Sequence, residues 1–353
     1  MYERRSLLLA VSLVLLTGIC YAQSALLDLP RKSQNAEVSQ TIGITNVTVK
    51  YSRPLVNDRK VWGGLVPYGE VWRTGANENT TITFSTPVNI EGKPLEQGTY
   101  GLFMIPTEND WTVIFSKTNT AWGAFTYKQD EDVLRVTVKP TASDFHNALV
   151  YDFDQLTPDS ALVTLRWDKL GVPFKVSVNV PQTVEASLQK QFRGLVQYTW
   201  QSYDDAANYF LDAKVNLPQG LKYADQSIQQ EERYDNLMTK SKILAAMGKA
   251  EEAQKYSAMA LAKADAPQSY QYARQLQREH KQDEAFAIYR EMANKYPTNM
   301  FTYAGLARVA VGSGNYDEAL KQMKLCQGAA PDNAKSQIQT LINRLEKREN
   351  INQ

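Results

Sequence analysis

Residues 280–297 read HKQDEAFAIYREMANKYP, and two other stretches share that layout: GKAEEAQKYSAMAL from Gly248 and GNYDEALKQMKLCQGAAP from Gly314. Their central alanines, Ala253, Ala285 and Ala319, lie 32 and 34 residues apart, and Pro297 and Pro331 each stand twelve residues after theirs. NLPQGLKYADQSI, with Gly220 at the alanine position, fits as an earlier and looser unit. Such a period predicts stacked helix pairs: one pair cannot cover its own apolar face, and a small residue at the crossing lets two backbones approach. The tail from Asp332 places Ile338, Leu341, Ile342 and Leu345 on one helical face, which predicts a cap for the open end of the stack.

The period, the small residue at the crossing, the "DEA" before the second helix and the proline after it resemble tetratricopeptide repeats. The resemblance implies a concave face, built by the first helix of each pair, that binds a protein segment. Counting back eleven residues from each alanine reaches Lys242, Arg274 and Arg308, all cationic. Lining the groove, they would offer a ladder of positive charge to an acidic segment or a chain-terminal carboxylate. The competing reading is three solvated cations paired with nearby Glu and Asp.

Working back toward the N-terminus, the vocabulary changes at Pro181. From Val38 to Val180 the chain is written in short β-branched and aromatic runs such as NVTVKYS, NTTITFS, WTVIFSK and LRVTVK, separated by Gly, Pro, Asn or Asp. Several alternate apolar and polar residues, the pattern of a strand with one face on a core. About ten such runs predict a mostly antiparallel sandwich or jelly-roll-like domain. VNIEGKPLEQGTYGLFMIP reads as a hairpin pattern, with Gly92 and Gly98 where turns want positive φ.

The run from SQTIGITNVTVKYSRP through VWGGLVPYGEVWRTGANENTTITFS, together with GTYGLFMIP, WGAF and YDFDQLTPDSALVTLRW, resembles the exported bacterial family of the domain of unknown function 2911 over roughly residues 30–180. The signature is densest from Trp72 through Arg73, Thr74, Gly75 and Ala76 to Asn77. The resemblance implies a fold, an exported location and helical repeats to follow; it carries no activity. The aromatic loop is therefore read on its own chemistry, in two ways. As a cleft, Trp62, Tyr68 and Trp72 would stack on a sugar ring, with Arg73, Asn77 and Glu78 supplying directional hydrogen bonds. As a plug, the tryptophans would seal one end of the sandwich with Arg73 tied to Asp152 or Asp154. Trp122 in AWGAF carries the same two readings.

Enzymatic chemistry finds few residues to use. The only histidines are His146 and His280, one in each half, and neither has zinc-ligand company. Ser143, Asp144 and His146 are too close in sequence to face one another as nucleophile, orienter and base. No G-x-S-x-G, G-x-x-x-x-G-K-[ST] or G-x-G-x-x-G occurs, so no cofactor is expected. Paired carboxylates remain: Glu70 and Glu78 flank the aromatic loop, and Asp152 and Asp154 share a strand face, as an acid pair or a calcium site would require.

The chain of 353 residues is 43% hydrophobic and 22% charged, ordinary globular material for two domains. Arg4 and Arg5 precede an apolar run from Leu7 to Ile19, with Cys20, Tyr21 and Ala22 as cleavage-site residues, which reads as a secretory signal. A run of that length reaches only about 20 Å as a helix, short of a bilayer core of roughly 30 Å. Ile19 occupies the place where a lipoprotein needs a small residue. Cleavage removes Arg4, Arg5 and Glu3, taking 39 basic and 38 acidic residues to 37 of each. Neutrality argues against nucleic acid, and Cys326 as the remaining cysteine precludes an intramolecular disulfide.

The expected organisation is a signal peptide over 1–22, a leader or first edge over 23–37, a β-sandwich domain over 38–181, and a tetratricopeptide-like solenoid with its capping helix over 182–353. The expected function is that of an exported, periplasmic or cell-surface, non-enzymatic scaffold that binds a protein or peptide on its repeats, with no membrane span in the mature chain. Two alternatives stand beside it: a carbohydrate-binding or glycoside-cleaving module, and an envelope folding or assembly factor.

Overall fold

The computed structural model describes residues 29–352. The expected signal over 1–22 lies outside them. Two compact units are present, the first ending at Val184 and the second beginning at Glu185.

The first unit is two antiparallel sheets around one core. In sheet order, the larger contains β1 (Gln34–Ile42), β2 (Thr45–Arg53), β3 (Thr81–Phe84), β6 (Gly98–Ile105), β7 (Trp111–Ser116) and β8 (Asp132–Val138). The smaller runs β5 (Lys93–Leu95), β4 (Val88–Ile90), β10 (Ser160–Ser177) and β9 (Thr141–Asp154). β1 is an edge strand; it begins inside the stretch expected as leader over 23–37 and runs on to Ile42. Period-two alternation turns Val47, Val49, Ile82 and Phe84 from one sheet toward Val163, Leu165, Phe174 and Val176 from the other. Trp111 and Trp167, each 1% exposed, anchor that core; an indole buries roughly 150–250 Å². β4 and β5 form a tight hairpin through Glu91 and Gly92, both at positive φ (49° and 79°), and Gly98 also has φ above zero (151°). The chain then leaves that sheet, so β6 pairs with β3 and β7.

The second unit is helical, and its lengths repeat. A first helix, α1 (Val180–Gln191), spans the boundary. Four pairs follow, each a 13-residue helix and a 14-residue one: α2 (Trp200–Asp212) with α3 (Leu217–Gln230), α4 (Tyr234–Ala246) with α5 (Ala250–Lys263), α6 (Ala266–Arg278) with α7 (Gln282–Lys295), and α8 (Met300–Gly312) with α9 (Tyr316–Ala329). The 15-residue α10 (Asp332–Glu346) closes the series. Gly220, Ala253, Ala285 and Ala319 are each the fourth residue of the longer helix and each is buried. At Gly220 a Cβ would lie 2.9 Å from the Cβ of Phe210 on the preceding helix, so a small residue is needed where the backbones approach. On α10, Ile338, Ile342 and Leu345 are buried against α8 and α9 residues, as expected of a cap.

Candidate functional site

The stretch from Trp72 to Thr80 is fixed by a local conflict that its neighbours resolve. Thr74 has a left-handed φ of 53° although it is not glycine, a conformation costing roughly 1–3 kcal/mol. Its hydroxyl donates to the Leu102 carbonyl at 2.9 Å, while its own carbonyl accepts from Thr80 (3.0 Å) and from Tyr151 (3.3 Å). Burial pushes the Tyr151 hydroxyl far above its usual range, so it stays protonated as that donor. Gly75 follows because a Cβ there would meet Thr80 Oγ1 at 2.9 Å and the Ser52 carbonyl at 3.0 Å. The Arg-Thr-Gly-Ala-Asn run is thus a tight backbone crossing.

This geometry turns the two loop tryptophans inward. The Trp62 ring centroid lies 5.8 Å from Trp72, 5.0 Å from Trp111 and 5.7 Å from Trp167, all edge to face, and Trp72 stacks on Trp167 at 6.0 Å. Trp62 and Trp72 are half-buried against the core, and Tyr68 lies over Gly63 at the surface. They form no shared open platform. Asn77 and Glu78 lie apart from this cluster: Gly123 N–H donates to the Asn77 carbonyl, and the backbones of Glu78 and Trp122 bridge, leaving Trp122 exposed.

The expected tie between Arg73 and Asp152 or Asp154 does not form. Both aspartates face Arg166, at 3.9 and 2.5 Å, because β9 and β10 present them on the same cross-strand face. Burial raises the Asp154 pKa, but hydrogen bonds from Thr164 and Arg166 more than offset it and the net direction is down. Among the described residues, buried Arg73 Nε has no hydrogen-bond partner, and neither do Trp62 Nε1 and Trp167 Nε1; a buried donor left unpaired costs roughly 1–3 kcal/mol. Burial also lowers the Arg73 pKa.

Two hollows flank this region. A cleft of about 610 Å³ along β1 and β2 is lined by Glu37, Lys50, Ser52, Glu78, Asn79 and Asn119. Its charges are neutralised locally: Lys50 pairs with Glu37 at 3.1 Å and Glu78 with Arg31 at 2.7 Å. The Arg31 bond holds the Glu78 carboxyl below the usual range. The second hollow, of about 300 Å³, is bounded by Trp72, Trp167, Arg73, Arg59, Lys32 and Leu65 among others. Sequence reasoning missed Lys32, Arg59 and Trp167; no local motif joins them, because three separate stretches of chain meet there.

In the helical unit, Lys242, Arg274 and Arg308 are each the ninth residue of a 13-residue helix, so the counted register is structurally real. A uniform charge ladder does not result. Lys242 is exposed and Arg274 half-buried, whereas Arg308 is buried. The cause is the chain itself: Arg308 donates to the Ile351 carbonyl, and its Nε reaches Tyr270 Oη at 3.0 Å. The Asn352 amide donates to the Arg308 carbonyl at 3.0 Å and accepts from Gln277 Nε2 at 3.1 Å. Arg274 donates to Gln277 Oε1 at 2.8 Å, with no carboxylate partner among the described residues. Burial and the nearby Arg308 charge lower its pKa.

Among the described residues, no group of three or more His, Cys, Asp or Glu is placed to hold a metal, and no helix is long and apolar enough to cross a membrane. Cys326 is buried, which pushes its thiol up to about 11 and leaves it protonated at neutral pH.

Known proteins resemble the two halves separately. Residues 33–176 match the family model described as Protein of unknown function (DUF2911), and residues 223–351 match that of the Coatomer epsilon subunit. A solved structure described as "Crystal structure of YrrB: a TPR protein with an unusual peptide-binding site" is 16% identical, spanning 44% of this chain and 81% of that one with a TM-score of 0.29. No curated protein matches. The chain thus joins a β domain resembling a family of unknown function to a unit of successive helix pairs.

Proposed function

We propose that the protein is an exported, non-enzymatic scaffold whose helical repeats dock a partner polypeptide on the face carrying the ninth residues of α4, α6 and α8. One observation carries this reading: a non-helical segment of the same chain, Asn350–Asn352, already lies on that face. It is held through a backbone carbonyl, a side-chain amide and one buried apolar anchor, Ile351, which is 1% exposed. These are the contacts by which an extended peptide is recognised on a preformed surface. Lys242 is open to solvent and Arg274 has no carboxylate partner among the described residues, which favours a partner with acidic side chains.

The test uses the full chain and a short fluorescein-labelled Glu-rich peptide followed by fluorescence polarisation. Saturable binding that falls at least tenfold in the Lys242→Gln/Arg274→Gln double variant supports the reading. No binding, or equal binding by the double variant, removes it. Arg308 is left intact because it holds the docked segment. The exported location rests on the sequence pattern of residues 1–22 and is tested by N-terminal sequencing of protein recovered from the cell envelope, which should begin at Gln23.

A further inference from the structure

We propose that the hollow beside the Trp72–Trp167 stack in the β domain binds a small organic oxyanion, its carboxylate, phosphate or sulfate facing Lys32, Arg59 and Arg73 and its apolar body lying against Trp72 and Leu65. The site belongs to the β domain alone and does not depend on the docking proposed for the repeats.

The charge inventory is one-sided. Among the described residues, Lys32, Arg59 and Arg73 are the ionisable ones lining the hollow, and no acidic side chain lines it. None of the three has a carboxylate within salt-bridge distance among the described residues. The acids that sequence order places nearby are committed elsewhere: Glu78 to Arg31, and Asp152 and Asp154 to Arg166. Arg59 donates to the Val56 carbonyl at 3.0 Å and the Leu55 carbonyl at 2.6 Å, which fixes its guanidinium without cancelling its charge. Two carbonyls beside the hollow are thereby consumed, and that of Ser33 takes the Asn77 amide at 3.2 Å.

The uncompensated polar atoms have the same sign. Among the described residues, Arg73 makes no side-chain hydrogen bond, and its Nε and the Trp167 Nε1 are buried donors without acceptors. A surround of donors and cations suits a ligand rich in acceptor oxygens. A neutral polyol, whose hydroxyls need acceptors as well, is poorly matched, and a cation is repelled. The volume of about 300 Å³ sits at the small end of ligand pockets. Leu55, Leu65, Val66 and the half-buried Trp72 indole supply apolar walls for a flat or branched body.

The experiment titrates the full chain with phenyl phosphate, benzoate and neutral benzyl alcohol, followed by calorimetry and by tryptophan emission. One-to-one binding of either anion, weakened by added salt, with benzyl alcohol at least tenfold weaker, is expected. Arg73→Gln should weaken the anion at least tenfold. Should Arg73→Gln fail to melt cooperatively, the rim variant Lys32→Gln/Arg59→Gln carries the test, with a similar loss and a flatter salt dependence. Lys242→Gln/Arg274→Gln should bind the anion unchanged, which separates this site from the repeats. Failure of both anions to bind, benzyl alcohol binding as tightly as they do, or unchanged affinity in every folded variant would overturn the assignment.

Discussion

Asp204 on α2 is the clearest case of a single side chain working against the fold. It is 7% exposed, its Oδ1 has no partner among the described residues, and burial, with Asp235 and Asp205 nearby, raises its pKa although the Asn208 amide donates to its Oδ2 at 3.1 Å. A carboxyl whose folded pKa exceeds its unfolded value of about 3.8 binds protons more tightly when folded. Stability from this group is therefore greatest below that value and falls as pH rises through the folded pKa. Asp204→Asn keeps an acceptor for Asn208 and removes the buried charge. It should raise the melting temperature at pH 7 by a few degrees, with the gap to the parent protein closing toward pH 4, as thermal melts across that range would show. At this scale the sequence was least informative. Asp152 and Asp154 were visible as neighbours on one strand face, but their cation, Arg166, was identifiable only from the β9–β10 register. For that reason Arg73 has no carboxylate partner among the described residues, and nothing local could reveal it.

Among the elements, the repeats were the most legible because the same geometric demand recurs at the same position. Every second helix needs a small fourth residue, and the chain supplies Gly220, Ala253, Ala285 and Ala319. The strands were legible by alternation, while the sheet order was not, since β6 abandons the β4–β5 hairpin for the opposite sheet. A second close approach, invisible to the alanine alignment, lies between α7 and α8. At Gly305 a Cβ would stand 2.5 Å from Tyr289 Cδ1, and Tyr289 is fully buried with its hydroxyl on Gln277. An alanine gains up to about 1 kcal/mol of helix propensity over glycine, but overpacking typically costs 1–3 kcal/mol. The ring cannot swing aside without breaking its Gln277 bond, so the packing cost should win. Gly305→Ala is expected to lower stability by about 1–2 kcal/mol in urea melts; an unchanged or raised midpoint would mean that α8 shifts freely along α7.

At the scale of the whole molecule, the face proposed for a partner is partly covered by residues 350–352, which follow α10. Ile351 packs with Ala304, Ala307 and Ile342, while Arg308 and Gln277 hold the neighbouring polar groups. A docked segment of this kind lowers the apparent affinity for any external peptide by the fraction of time the face is free. Ile351→Glu places a charge where an apolar side chain was buried and should detach the segment, exposing Arg308 beside Arg274. Two readouts must then move in opposite directions: the variant melts lower, and it binds the labelled Glu-rich peptide several-fold more tightly than the parent protein. A lower melting point with unchanged peptide affinity would make the segment a structural strap over a surface that partners do not use. The helical reading from the sequence placed Arg308 at the correct register yet missed its burial, because what covers it lies outside the repeat that made it recognisable.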